Sequence, residues 1–333
     1  MTRIYLKDAI QMQSALNIIG DDLKQVEQQF RKDLQSDVPL IRKVGEYVLS
    51  SGGKRIRPAL LLLAARLSGY TADKAVPLAS VIEFIHTATL LHDDVVDSAS
   101  MRRGIASANT LWGNEASVLI GDFLFSKSFS LMVNVGSLDI LRVLSDATTV
   151  IAEGEVMQLL YTGELDLTEE IYTNVVRSKT AILMSAACEA GAILGAVPQS
   201  QQQALADFGM DLGIAFQLMD DILDYTATEE EFGKSIGHDL EEGKITLPLI
   251  HTLRKCTKAE RDVIAGVVDR DEMSLDEFRS VSDLVRKYGG IEYTVETARS
   301  CISRCKGHLD QFAQSPVRDA LLSLSEYVVT RSK

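Results

Sequence analysis

Long apolar segments with helical spacing are the feature that most restricts how this 333-residue chain can fold. The segment 78–96 has few polar side chains before the acids at its end, and segments of the same kind follow at 116–132, 138–160, 170–194 and 204–225. Strand-like alternation of apolar and polar residues is nearly absent. Helices that are apolar almost all round belong inside a bundle with other helices on several sides. We therefore expect an all-α fold, a large helical bundle.

Glycine and proline mark the ends of these segments, but no linker divides them. Gly52 and Gly53 end one helix, while Pro58 and Pro77 stand near the start of the next two, where the missing N–H of proline is tolerated. No repeat with a period of about 20–50 residues is present. We expect a single domain over residues 1–333.

The charge balance restricts the partners of the protein. There are 47 acidic and 34 basic side chains, for a formal net charge of −13, which argues against binding to nucleic acid or to an anionic membrane surface. The start of the chain, with Lys7 and Asp8 among apolar residues, does not resemble a secretory signal. No run of about 18 apolar residues is long enough to cross a bilayer. The sequence predicts a cytoplasmic protein that is not integral to a membrane.

Four cysteines are too few for a disulfide framework in a chain of this length. They are Cys188, Cys256, Cys301 and Cys305. Cys301, Cys305 and His308 could share one helix face, as in half of a zinc site, but no fourth ligand is nearby. We do not expect a metal site there.

Two copies of the pattern D-D-x-x-D interrupt the apolar character, each at the C-terminal end of an apolar helix. The first is Asp93, Asp94 and Asp97, and the second is Asp220, Asp221 and Asp224. The first and last aspartates of each copy lie about 40° apart on one helix face, where like charges repel, and a helix C-terminus disfavours anions. One cluster alone could be a solvated helix end, but two copies 127 residues apart indicate a function.

The ligand chemistry of these clusters points to a hard cation. Oxygen donors without His or Cys favour Mg²⁺ or Ca²⁺ over zinc, and the D-x-D-x-D-G pattern of a calcium loop is missing. Magnesium usually binds a few carboxylates and completes its shell with water and substrate phosphates. The clusters therefore predict a Mg²⁺ site and a phosphorylated substrate.

Basic residues accompany the acids in the way that a phosphorylated substrate requires. They are Lys54, Arg55 and Arg57 after the glycine turn, Arg102 and Arg103 after the first cluster, Lys179 inside a helix, and Lys234 and Lys244 after the second cluster. The stretch Gly233-Lys234-Ser235 is not a P-loop, because Thr228 stands at the required glycine and no strand precedes it. The anion is therefore not expected to be a nucleotide.

Taken together, these motifs resemble those of the trans-polyprenyl diphosphate synthases. The resemblance rests on GGKRIRP, on LLHDDVVD followed by MRRG, on Lys179-Thr180 (the KT pair), and on FQLMDDILD followed by GKSIGHD. These motifs occur in the family's order over residues 40–250. It implies the all-α isoprenoid synthase bundle with a deep central cavity, and a homodimer. The implied reaction adds isopentenyl diphosphate to an allylic diphosphate, one five-carbon unit per cycle.

The resemblance also implies roles for individual residues. The six aspartates would hold three Mg²⁺ ions on the allylic diphosphate, with Asp93, Asp97, Asp220, Lys179 and Lys234 catalytic. The allylic diphosphate would be bound by Arg102, Lys179, Thr180, Gln217 and Lys234. A metal-free site for isopentenyl diphosphate would comprise Lys54, Arg57, His86 and Arg103.

Product length is expected to depend on the wall of the cavity before the first aspartate. In the family a bulky aromatic residue four or five positions before that aspartate shortens the product. Here those positions are Thr89 and Ala88, which are both small, and Ile85 lies about one turn further toward the start of the helix. We expect a long all-trans product, octaprenyl or a neighbouring length, made from farnesyl diphosphate for a quinone side chain. The floor of the cavity is expected near Phe129 or Met132.

Other functions remain open at this point. They are a shorter-chain synthase, from geranylgeranyl to heptaprenyl, and the catalytic subunit of a two-component synthase. A class I terpene cyclase is disfavoured, because cyclases usually replace the second acid cluster and lack the site that Lys54, Arg57 and His86 resemble.

Overall fold

A computed structural model describes residues 16–226, 237–268, 270 and 273–330. In these ranges the chain is mostly helical and has only two strands of two residues each, which confirms the predicted all-α fold. The helices are α1 Gly20–Asp33, α2 Pro39–Ser50, α3 Ile56–Leu67, α4 Ala75–Val96, α5 Ala108–Trp112, α6 Asn114–Val135, α7 Leu138–Tyr161, α8 Glu169–Val176, α9 Ile182–Leu194, α10 Gln199–Thr226, α11 His238–Glu241, α12 Leu247–Leu253, α13 Lys258–Val268, α14 Leu275–Lys287, α15 Gly290–His308 and α16 Pro316–Thr330.

The apolar helices predicted to be central are central. Helix α4 packs against α3 and α6, α9 packs against α3 and α10, and α10 packs against α15. One large apolar cluster runs through most of these helices. A smaller one, which includes Phe30, Phe84, Ala88, Leu91 and Leu124, joins α1 and α4 to α6. The two helices that carry the acid clusters are thereby held rigidly in the bundle.

Small residues allow the central helices to approach closely. A Cβ atom at Gly191 of α9 would lie 2.6 Å from the carbonyl oxygen of Leu61 on α3, and one at Gly209 of α10 would lie 2.5 Å from the carbonyl oxygen of Met184 on α9. Real Cβ atoms do not come so near to a backbone oxygen, so these two contacts require glycine. They fix the spacing of the helices behind the site.

The segment 170–194 differs from the single helix expected for it. It consists of α8, a π-helical turn at Arg177–Ala181 and α9. A π turn accommodates an extra residue per turn, a local change of hydrogen bonding that apolar periodicity does not predict.

A short hairpin follows α4. Strands β1 Met101–Arg102 and β2 Ile105–Ala106 pair antiparallel, with Met101 opposite Ala106. Arg103 and Gly104 form the turn, and both have positive φ angles, 52° and 79°. Each strand has two residues, too few for the alternation by which strands are recognised in a sequence.

Two of the described helices, α4 and α6, are long and apolar enough by length and composition to cross a membrane. This differs from the expectation that no such run exists. Apolar helices in the core of a bundle satisfy the same criterion, and 61% of the apolar window of α4 is buried against other helices. For α6 the buried share is 33%, so this helix presents an apolar face to its surroundings.

The residues of the rejected zinc half-site have other partners. His308 Nε2 lies 2.9 Å from Asp211 Oδ2, and Arg304 Nη2 donates to the sulfur of Cys301. Across the described ranges, no three His, Cys, Asp or Glu side chains are arranged to hold a metal ion. The four cysteines are free thiols.

Candidate active site

The first acid cluster lies where α4 ends and the hairpin returns over it. Asp97 caps the helix, with its N–H donating to the Asp93 carbonyl at 2.8 Å. Asp94 is buried, and Arg102 of the hairpin donates from Nε to its carboxylate at 2.5 Å. Burial raises the pKa of Asp94, and the Arg102 charge opposes that rise. The hairpin therefore supplies the cation that offsets this cluster.

The second acid cluster, near the end of α10, is more deeply buried. Asp221 is 1% exposed and accepts hydrogen bonds from the Tyr172 hydroxyl and from Gln217 Nε2. Asp224 accepts the backbone N–H groups of His238 and Asp239 at 3.2 and 3.3 Å. Burial, with the nearby Asp239 charge, raises the pKa of both Asp221 and Asp224 to about 8. Burial and the neighbouring negative charge thus favour the protonated forms of these carboxyls, and a bound cation would oppose that effect.

Two lysines link the first cluster to the elements around the second. Lys244, in the loop before α12, lies with Nζ 3.1 Å from Asp97 and 2.6 Å from Glu242. Burial alone would lower the pKa of Lys244, but Asp97 and Glu242 outweigh it and the pKa is raised. Lys179 Nζ lies 2.6 Å from Glu155 and 4.0 Å from Asp93. Both lysines thus stand between carboxylates.

The π turn places the KT pair. Gly154 of α7 faces it so closely that a Cβ atom there would lie 2.7 Å from Ser178 Cβ. Thr180 Oγ1 donates to Gln217 Oε1 at 3.0 Å and thereby joins the turn to α10. A cavity of about 140 Å³ is lined by residues of both, among them Lys179, Thr180, Gln217, Asp221 and Lys244. The predicted allylic-diphosphate residues Lys179, Thr180 and Gln217 are therefore brought together.

A second cavity, of about 630 Å³, brings together the residues predicted to bind isopentenyl diphosphate. Lys54, Arg57, His86 and Arg103 all line it, and so does Asp220. Arg57 Nη1 lies 3.2 Å from His86 Nε2. Burial lowers the pKa of Arg57 to about 10 and, together with the Arg57 charge, lowers that of His86 well below its usual value. His86 is therefore neutral, and the positive charge of this cavity comes from Lys and Arg.

The roles predicted for Lys234 and for the chain-length wall remain predictions. Lys234 lies outside the described residues. Ile85 and Ala88 are fully buried, Ile85 in the large apolar cluster and Ala88 in the smaller one, whereas Thr89 is half-buried and donates from Oγ1 to the His86 carbonyl. The wall assigned to these three residues stays a prediction, with Thr89 the one that retains accessible surface.

Sequence reasoning missed several residues of the site. Glu155 is the partner of Lys179, Tyr172 holds Asp221, and Asp239 is half-buried beside the second cluster, where its backbone N–H donates to Asp224. Glu155 gave no signal in the sequence, and Asp239 entered only as the last residue of the motif GKSIGHD, with no role assigned. Glu83 could have been singled out, because it is the one charged residue in the apolar run 78–92.

Magnesium, which the family implies, fits the donors in kind. All six aspartates offer carboxylate oxygens, the ligands that Mg²⁺ prefers. The described groups are not gathered into a coordination set, and the carboxylates of the first cluster contact Arg102, Lys179 and Lys244 instead. Divalent cations bound at these acids would compete with those side chains and with protons.

Comparison with known proteins is consistent with this geometry. The family model described as polyprenyl synthetase matches residues 38–285. The octaprenyl diphosphate synthase of Escherichia coli K12 is 43% identical over 316 residues, covering 95% of this chain and 98% of its own length.

Two solved structures share the fold over nearly the whole chain. A decaprenyl diphosphate synthase from Rhodobacter capsulatus has a TM-score of 0.92 and 42% identity, covering 97% of this chain and 99% of its own. A polyprenyl synthase from Caulobacter crescentus, complexed with calcium and isoprenyl diphosphate, has a TM-score of 0.92 and 39% identity, with 97% and 98% covered.

The fold and the two acid clusters define an enzyme of the isoprenoid synthase class. The chain belongs to the polyprenyl synthetase family, that of the trans-polyprenyl diphosphate synthases, and is a prenyltransferase.

The raised pKa values predict how stability depends on pH. The folded-state pKa values of Asp221 and Asp224, about 8, and of Glu155, about 7, lie above the unfolded values near ~4. The native state therefore binds more protons between these limits, and the stability from these groups is lost as pH rises through about 7–8. We expect the thermal midpoint in EDTA to fall by a few degrees from pH 6 to pH 8.5.

Scanning calorimetry with and without Mg²⁺ measures this. Added Mg²⁺ should reverse the loss at pH 8.5, because a bound cation stabilises the ionised acids. The double variant Asp221→Asn/Asp224→Asn should show a flatter pH dependence. A midpoint that rises between pH 6 and pH 8.5 in EDTA would contradict the assignment.

Proposed function

We propose that this protein is a Mg²⁺-dependent synthase that repeatedly condenses isopentenyl diphosphate with an allylic diphosphate to make a long all-trans polyprenyl diphosphate. The observation that carries the proposal is the pairing of two unlike sites. Two acid clusters, the first of them ion-paired with Lys179 and Lys244, adjoin a cavity lined by cations and a neutral histidine. The first suits a diphosphate bound through metal, and the second a diphosphate bound directly.

In the proposed allylic site, the aspartates of both clusters would hold about three Mg²⁺ ions, which would supply Lewis-acid neutralisation of the diphosphate leaving group. Lys179 leaves Glu155 for the diphosphate, and Arg102 and Lys234 contribute further positive charge. Charge that develops on the leaving oxygen as the C–O bond breaks is thus met by fixed cations.

In the second cavity, Lys54, Arg57 and Arg103 bind the diphosphate of isopentenyl diphosphate, and neutral His86 offers a hydrogen bond. The homoallylic double bond attacks the allylic cation and forms the new C–C bond. A proton then leaves the adjacent carbon for the departing diphosphate, which restores a double bond and balances the charge. Asp220 lines this cavity although it belongs to the second cluster, so the two substrates are held side by side.

Incubation of the full chain with farnesyl diphosphate, labelled isopentenyl diphosphate and Mg²⁺ tests the reaction. The dephosphorylated products, separated by chromatography, should form a ladder that ends at a long chain. Failure to elongate the primer when Mg²⁺ is present would refute the proposal.

We propose octaprenyl diphosphate as the main product, used for a quinone side chain. Support comes from small Ala88 and Thr89 before the first aspartate and from the similarity to an octaprenyl diphosphate synthase. The similarity to a decaprenyl diphosphate synthase supports a long chain without favouring eight units. The same assay on the purified chain alone distinguishes a self-sufficient synthase from the catalytic subunit of a two-component one.

We also propose that the active protein is a cytoplasmic homodimer. Large apolar side chains of α6 and α7 are exposed, among them Leu119 at 67%, Leu159 at 64% and Leu160 at 74%. The two helices contact each other, and a second copy would cover this apolar surface by symmetry.

Charge placed in this surface should separate the copies. The double variant Leu119→Asp/Leu160→Asp is expected to elute as a monomer of about half the mass in light scattering, because it buries like charges at a two-fold contact. Val263→Asp, an exposed apolar position on α13, is the matched control and should stay dimeric. Dimers of unchanged affinity in the double variant would contradict the assigned surface.

A further inference from the structure

The loop that begins α3 has an unusual backbone. Arg55, the residue before the helix, has φ 49° and ψ 36°, in the left-handed region. For a residue with a side chain this conformation costs about 1–2 kcal/mol unless its surroundings enforce it. Lys54 and Arg57, two of the predicted diphosphate ligands, stand on either side of it. The conformation of Arg55 therefore decides where those two cations point.

Contacts of the Arg55 side chain enforce this conformation. Its Nη1 donates to Glu83 Oε1 of α4, its Nη2 donates to the Leu49 carbonyl at 2.9 Å, and its Nε lies 3.5 Å from Glu27 on α1. Glu83 is 5% exposed. A carboxylate buried to this degree is stable only with a partner, and Arg55 is the partner that touches it.

The negative charge of Glu83 is unexpected at its position. It lines the basic cavity with Arg57, His86 and Arg103, although an acid there opposes the binding of an anion. Its charge also favours the protonated form of Arg57 against burial. A role in holding the loop explains why an acid stands at a site for diphosphate.

We propose that Arg55 and Glu83 are a pair of positioning residues for the isopentenyl diphosphate site: Glu83 holds Arg55 in the left-handed turn that directs Lys54 and Arg57 into the cavity. This inference rests on the proposed assignment of that cavity. Neither residue is proposed to touch the reacting atoms.

The test removes the pair without changing net charge. The double variant Arg55→Ala/Glu83→Ala should bind isopentenyl diphosphate about tenfold more weakly than the wild-type full chain. Without the side-chain contacts of Arg55, the free-energy cost of the left-handed backbone conformation at position 55 is no longer offset. Binding is measured by calorimetry in EDTA, where only a metal-free site responds. In turnover assays, KM for isopentenyl diphosphate should rise by a similar factor and KM for the allylic substrate should change less than about twofold.

A second variant separates the turn from the side chains. Arg55→Gly/Glu83→Ala lacks the same contacts but accepts the left-handed conformation at little cost, so its affinity should return to within about threefold of the wild type. Asp211→Ala is the control. Asp211 lies on the part of α10 that precedes the second acid cluster, and it is a buried carboxylate paired with Arg304 of α15. It should lower the melting temperature and leave the affinity for isopentenyl diphosphate unchanged.

The outcomes are distinguishable. Wild-type affinity in the Arg55→Ala/Glu83→Ala variant, equal weakening of both substrates, or no recovery with glycine overturns the role of the pair while the site itself stands. A wild-type protein that binds no isopentenyl diphosphate in EDTA overturns the site and, with it, the pair.

Discussion

Replacement of Asp93 or Asp220 by asparagine is expected to lower kcat by about 10³-fold, since each removes a charge that would hold cations on the leaving diphosphate. The two positions belong to different clusters, on α4 and α10. An effect at both would show that the clusters act on one substrate. Asparagine keeps the size of the side chain, so the loss reports charge and not packing.

The kinetic pattern is as informative as the size of the loss. The Mg²⁺ concentration for half-maximal rate should rise in both variants, while metal-free binding of isopentenyl diphosphate should persist because its cations are untouched. Asp139→Asn, at an exposed aspartate paired only with Arg142 in the described structure, is the control and should have wild-type turnover. Variants within tenfold of the wild type at saturating Mg²⁺ would remove these aspartates from the reaction.

Phenylalanine at position 89 is expected to shorten the product by several isoprene units. Thr89 lies one helical turn before Asp93, and a turn rises ~5.4 Å, close to the length of one extended isoprene unit. Its side chain is half-buried, and we expect an aromatic ring at this position to block the growing tail. Chromatography of dephosphorylated products measures the shift, with Thr89→Ser as the control that keeps a small side chain.

Ala88→Phe provides a contrast with Thr89→Phe. Ala88 is fully buried among Phe30, Phe84 and Leu124, so a ring at 88 would overpack that cluster and cost about 1–3 kcal/mol of stability. We expect it to shorten the product with a lower melting temperature. Unchanged product length in both variants would mean that this part of α4 does not limit the tail.

The sequence was sufficient to predict what depends on residue type and spacing. Apolar helices and the acid clusters follow from local patterns, whereas the residues assigned to the two diphosphates came from the family resemblance. The structure brings Lys54, Arg57, His86 and Arg103 together in one cavity. The π turn at Lys179 could not be predicted, because it depends on close packing against Gly154 of another helix.

Contacts between residues from distant parts of the chain could also not be predicted from the sequence. Tyr172 is 49 residues from Asp221, and Lys244 is 147 residues from Asp97. No periodicity relates such pairs, and each arises only when the bundle brings its helices together. Glu83 could be predicted only in part. Its charge in an apolar helix marks it as unusual, but the sequence does not identify Arg55 as its partner.

The two lysines that stand between the carboxylates bear on how the protein tolerates the loss of its ions. Lys179 and Lys244 supply tethered positive charge at Asp93 and Asp97, and the second cluster can take up protons. The acids of the ligand-free cavity are therefore partly neutralised from within the chain. Chelation of divalent ions should therefore abolish activity without unfolding the protein, and activity should return when the ions are restored.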